Sequence, residues 1–236
     1  MKGVWIVTII QIRMKLYLLK DIKAERILSC VADFIDQGLM KSEEYAKLHE
    51  DNCFKPYSFN CPYPIEEDKL YKKDKIYTLT IRTINTQFAQ FLAEHVVNGY
   101  TDSIKGLTAE IRIIPQKHVE LLYTITPDIM RCEKGYWRDS LSIEQYEERI
   151  KVNLLKKWNN FYGEKMNEDF EFINGIEFKN KCPIKIPYKN IHLLGDKFNL
   201  YISENENAQR LANLAIGVGI SELNARGMGF CNYRWL

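Results

Sequence analysis

Apolar residues recur along this chain in two rhythms, every second position and every third or fourth, and the switches between them mark out separate elements. Residues 4–19 are rich in β-branched and long apolar side chains and predict an opening strand. Ile27, Leu28, Val31 and Ile35 then share one helical face. Residues 55–59 predict a second strand, and residues 76–84 a third, with Tyr77, Leu79 and Ile81 on one side. Phe88, Phe91, Leu92 and Val96 mark another helix, which Asn98-Gly99 would stop. Residues 107–114 close the set as a strand. The order is β-α-β-β-α-β, that of a ferredoxin-like unit.

Pro115-Gln116-Lys117 predicts a short joint that divides the chain into domains 1–115 and 116–236. Beyond it, residues 119–125 predict a strand. Ile143, Tyr146, Ile150, Leu154, Trp158 and Phe161 follow at spacings of three and four, the strongest helix signal in the chain. Residues 170–178 and 198–202 predict strands, with a further short one near 184–186. A helix over 205–216 and a closing strand over 230–235 repeat the first order. The expected fold class is α+β: two tandem ferredoxin-like (RRM-like) domains ending in a glycine-rich loop. Each sheet would carry helices on one face and leave the other open. RNA-recognition modules use such a face, but the same face can pack against a partner, and this fold serves many functions.

The 46% apolar content supports a packed core and argues against disorder. A net charge of +2 argues neither for nor against a nucleic-acid partner. The six cysteines form no Cys-x-x-Cys pair, which disfavours a structural zinc site and fits reduced thiols in the cytoplasm. Residues 3–12 form an apolar run too short to span a bilayer, with Arg13 and Lys15 behind it and no cleavage site. A strand explains that run better than an export signal, so the chain reads as soluble and without a membrane partner.

Two Gly-x-Gly pairs, Gly217-Val218-Gly219 and Gly227-Met228-Gly229, bracket a polar segment that contains Asn224 and Arg226. Glycines of this kind let a backbone approach a ligand or take positive φ. A dinucleotide loop would follow a first strand and open a helix, whereas this one closes a helix near the end of the sequence. No Gly-Lys-Ser/Thr follows, so a P-loop is also excluded. A turn that projects bare N–H groups in this way can receive phosphate oxygens.

Four histidines can exchange protons near neutral pH: His49, His95, His118 and His192. His49 lies where the first helical region runs out, and Pro56 biases Lys55 towards extended backbone. An imidazole on a loop with a lysine six residues on suits metal-free RNA cleavage. RNA carries its own 2′-hydroxyl nucleophile and needs only proton transfer and offset of phosphate charge. The same pair also fits an exposed loop histidine beside a snorkelling lysine, and these residues alone leave both readings open. Basic residues gather around 69–75, at Arg131, Lys134 and Arg138 beside Tyr136-Trp137, and over 179–189. Such clusters hold phosphates or form solvated faces.

Tandem ferredoxin-like order, the His49–Lys55 segment with Pro56-Tyr57-Ser58-Phe59, and the terminal glycine loop coincide over the whole chain. Together they resemble the CRISPR-associated endoribonucleases that process precursor CRISPR RNA, the Cas-six family of the RAMP superfamily. The resemblance implies cleavage within each repeat without metal or cofactor, giving 5′-hydroxyl and 2′,3′-cyclic phosphate ends. By position His49 would be the general acid/base and Lys55 the phosphate stabiliser. The family's supporting tyrosine would correspond here to Tyr45. Gly217, Gly219, Asn224, Arg226, Gly227, Gly229, Lys134 and Arg138 are the expected RNA contacts. Repeat RNA is the implied partner, with effector-complex subunits or a second copy as further ones. Some members of the superfamily bind RNA without cutting, and a non-catalytic effector subunit is the alternative that the resemblance carries.

Overall fold

The computed structural model describes residues 7–133 and 135–236; residues 3–6 of the expected opening run and Lys134 lie outside them. The first unit contains β1 (Ile9–Leu18), β2 (Ile22–Lys23), α1 (Ile27–Leu39), α2 (Glu43–Glu50), β3 (Tyr57–Phe59), β4 (Leu70–Tyr71), β5 (Ile76–Thr83), α3 (Thr86–Glu94) and β6 (Ile104–Ile114). Its main sheet has the order β3-β5-β1-β6, with every neighbour antiparallel. Alternation decides which way β1 faces. Ile10, Ile12, Met14, Leu16 and Leu18 are buried in the core with α1 and α3 residues, while Arg13 and Lys15 are exposed on the opposite side.

The second unit contains β7 (Val119–Thr124), α4 (Ile143–Tyr162), β8 (Ile173–Phe178), β9 (Ile184–Tyr188), β10 (Ile191–Gly195), β11 (Phe198–Ile202), α5 (Glu206–Val218) and β12 (Cys231–Trp235). Its sheet runs β12-β7-β11-β8, the same topology with β9–β10 inserted as a separate hairpin. The expected repeat of a ferredoxin-like order is therefore present in both sheets. Local chemistry starts the helices where their sequences suggest. Asn85 and Asn205 cap α3 and α5, and Ser142 with Gln145 forms a capping box on α4. Tyr146, Ile150, Leu154 and Trp158 are buried as the spacing requires, whereas Ile143, the first residue of α4, stays exposed.

One local expectation changes. Residues 43–50 form a short second helix, so His49 sits in its last turn rather than on a loop. Glu43 and Glu44 open that helix and Lys47 and His49 close it, a charge order that suits its dipole. Its apolar content is too low to reveal the helix by hydrophobic spacing. The link 115–118 joins β6 to β7, and the two cores interlock across it. Val7, Ile9 and Ile84 pack with the second core, while Ile129, Ile186 and Met228 pack with the first.

Candidate nucleic-acid interface and active site

A cleft of about 730 Å³ opens between α1, the end of α2, the β9–β10 hairpin and the glycine-rich loop. Asp36, His49, Tyr188, Lys189 and Arg226 all line it. They arrive from four places, α1, α2, the β9–β10 hairpin and the glycine-rich loop, so the cleft exists only because the two units are docked.

At its centre, Asp36 receives two partners. His49 Nδ1 lies 3.1 Å from Asp36 Oδ1, and Arg226 Nη1 donates to Asp36 Oδ2. The side chains of Asp36, His49 and Arg226 are 17%, 27% and 34% exposed, so the group is sheltered yet open to the cleft. Burial alone would lower the Arg226 pKa, but the hydrogen bond and charge of Asp36 outweigh it and hold it above its ordinary value. One turn earlier, burial and then the charge of Asp36 raise the Asp33 carboxyl.

The loop that delivers Arg226 is built on three anchors. Lys157 is buried under its start, donating to the carbonyls of Gly219 (2.9 Å), Ile220 (3.3 Å) and Ser221 (2.6 Å). Asp128, also buried, accepts from the Ser221 backbone N–H at 3.2 Å and its hydroxyl at 2.8 Å. Burial pushes Asp128 up to about 6 and Lys157 down to about 7. Asn224 then reaches into the first domain, its Nδ2 donating to the carbonyls of Lys55 and Tyr57, both at 2.7 Å. The helical turn Asn224–Arg226 ends at Gly227, whose φ of 79° favours glycine. Space demands it as well, since a Cβ there would lie 2.7 Å from both Leu28 and Phe59.

The structure thus brings His49 and Arg226 to one cleft and gives other surroundings to the remaining expected residues. Asn224, Gly217, Gly219, Gly227 and Gly229 face protein atoms; the nearest neighbour of an added Cβ would be Ile84 at Gly217 and Asp128 at Gly229. Lys55 Nζ donates to the Asp51 carbonyl at 2.5 Å and does not line the cleft. Tyr45 is a core residue, with ring centroids 5.2 Å from Phe88 and 4.5 Å from Phe91. Arg138 lies elsewhere in the second domain, over Phe178 and 3.3 Å from Asp196. Lys134 is outside the described residues.

Sequence reasoning missed Asp36 and Tyr188, while Lys189 belongs to the basic cluster over 179–189 and does line the cleft. A signal for Asp36 was available: Ser29, Asp33 and Asp36 fall at helical spacing and form a polar stripe opposite the apolar face of α1. Tyr188 carries none, because which surface a hairpin tip reaches depends on the whole fold.

Residues 114–233, just over half of the chain, match the protein family described as "CRISPR associated protein Cas6, C-terminal". No curated protein matches the sequence. Solved structures resemble it over nearly its full length. One titled "CRISPR associated protein Cas6" is 21% identical with a TM-score of 0.69, covering 96% of this chain and 99% of that one. A second, titled "An RAMP protein binding different RNA substrates", is 19% identical with a TM-score of 0.70, covering 95% and 99%. A third, a Cas6 product complex, is 17% identical with a TM-score of 0.64, covering 97% and 100%.

Proposed function

Because the chain belongs to the family of CRISPR associated protein Cas6, we propose that it cuts CRISPR repeat RNA without a metal ion, by attack of the RNA's own 2′-hydroxyl. The observation that carries this reading is the meeting of His49 with Arg226 of the glycine-rich loop, through Asp36, in the cleft between the domains. RNA binding and a retained product in two similar structures support the substrate class.

His49 takes the proton of the 2′-hydroxyl as general base. The freed O2′ attacks the adjacent phosphorus, the bond from phosphorus to the 5′-oxygen breaks, that oxygen takes a proton from water, and protonated His49 returns its proton to solvent. The products are a 2′,3′-cyclic phosphate and a 5′-hydroxyl. Guanidinium N–H groups of Arg226 not committed to Asp36 offset charge on the phosphate. Lys55 would serve as a second cation only after its ammonium leaves the Asp51 carbonyl, since its backbone is held beside the loop by Asn224 while its side chain lies outside the cleft.

Repeat RNA incubated with the protein in EDTA gives a single internal cut. His49→Ala lowers the rate about 10³-fold while retaining most of the RNA affinity, the size expected for a lost general base. A Mg²⁺ requirement, or a cut that survives loss of His49, would refute the mechanism. A second reading, RNA binding without cleavage, is favoured by Lys55 and Tyr45, neither of which lines the cleft. It predicts tight repeat binding and no product.

A further inference from the structure

We propose that Asp36 is the positioning residue of His49: it fixes the imidazole in the tautomer that leaves Nε2 as proton acceptor, and Arg226 holds Asp36 in place to do so. This rests on the reading of His49 as general base.

The geometry carries the assignment. His49 Nδ1 lies 3.1 Å from Asp36 Oδ1, an ion-pair contact, and because a carboxylate only accepts hydrogen bonds this contact favours hydrogen on Nδ1. In a neutral imidazole the other nitrogen, Nε2, then keeps its lone pair. A histidine free in water has no such constraint. Asp36 itself cannot turn away, because its second oxygen accepts from Arg226 on the opposite side. The carboxylate is thus held between the two, committed in two directions. It orients a base and does not act as one.

Its anchor belongs to the other domain. Arg226 closes the turn Asn224–Arg226, and Asn224 is bonded to the backbone of Lys55 and Tyr57. The same docking that seats the glycine-rich loop therefore sets the hydrogen position on a histidine contributed by the first domain. A histidine loosely paired with a carboxylate at a protein surface makes no such demand, because water can satisfy the imidazole in any protonation state. A role in positioning demands one tautomer, and that difference is measurable. The arrangement has the logic of an aspartate that orients a catalytic histidine in a hydrolase triad, reached here without a serine.

The test is multiple-bond ¹⁵N–¹H NMR on the full-length, ¹⁵N-labelled protein at a pH where the imidazole is neutral. His49 is identified by the signals that disappear in His49→Gln. Wild type should show the Nδ1–H form. In Asp36→Asn the signal should move towards the Nε2–H form, and kcat for repeat cleavage should fall about 10²-fold with KM changed less than about twofold. An Nε2–H signal in wild type overturns the proposal. So does an Asp36→Asn rate within about twofold of wild type. If Asp36→Asn does not fold, the wild-type spectrum decides alone. The two readings fail separately: cleavage that survives His49→Ala sinks the base assignment, whereas Nε2–H in an enzyme that needs His49 sinks only the role of Asp36.

Discussion

Two cations serve the glycine-rich loop, one beneath its start and one carried by it, and their surroundings could hardly differ more. Lys157 is fully enclosed, and its ammonium is used up by three loop carbonyls. Arg226 projects from the loop into the cleft, a third exposed, with one carboxylate partner. Each has an aspartate nearby, Asp128 for Lys157 and Asp36 for Arg226, so the residue types do not distinguish them. Saturation does. A buried cation whose donors are all spent can only hold structure, while a partly exposed one with N–H groups to spare can also meet a ligand.

Substitutions that separate stability from cleavage should break or sharpen that contrast. Lys157→Met should cost most, about 3 kcal/mol in chemical denaturation, because it leaves buried carbonyls without donors. Little change in the denaturation midpoint would mean the loop does not depend on its ammonium. Asn224→Ala removes two buried hydrogen bonds between the domains and should cost about 1–2 kcal/mol. Arg226→Gln should cost less than about 1 kcal/mol, as partly exposed ion pairs do, yet slow repeat cleavage about tenfold or more. If Arg226→Gln were as destabilising as Lys157→Met, the two cations would be alike after all.

A pH dependence sharpens the comparison further. Burial lowers the Lys157 pKa to about 7 in the folded protein from its ordinary value of 10.5. Between those values the unfolded chain binds more protons, so this group makes stability rise with pH, by at most about 1.4 kcal/mol per unit. Asp128, raised to about 6 from 3.8, works the other way, and stability falls as pH rises between those values. The stability difference between wild type and Lys157→Met should therefore grow as pH rises from 7 to 9.5. A flat difference would show that the lysine keeps its ordinary proton affinity.

Much of the fold was legible because burial writes itself into spacing. The alternation of Tyr77, Leu79 and Ile81 and the stripe of Tyr146, Ile150, Leu154 and Trp158 are buried as their rhythms require. Helix α2 is not legible, since it turns only Tyr45 and Leu48 to the core, too short a stripe to show a helical rhythm, and spacing alone puts His49 on a loop. Its spatial partners were harder still. Nothing along the chain links Asp36 to residue 226, because the ion pair spans 190 positions and depends on how two domains dock. The glycines could be recognised as a motif, but whether they face a ligand or a neighbour depends on what lies opposite. For Gly227 it is Leu28 and Phe59.

The interlocked cores carry a consequence for how this chain behaves as a material. Ile9 and Ile84 come from the first unit yet complete the second core, and Met228 makes the reverse loan to the first. Severing the chain at 115–118 would leave each half with an apolar gap that only the other half can fill. The halves should then remain associated after such a nick and melt in a single calorimetric transition. The joint is a covalent link, while the cooperativity of the molecule lies in the residues exchanged across it.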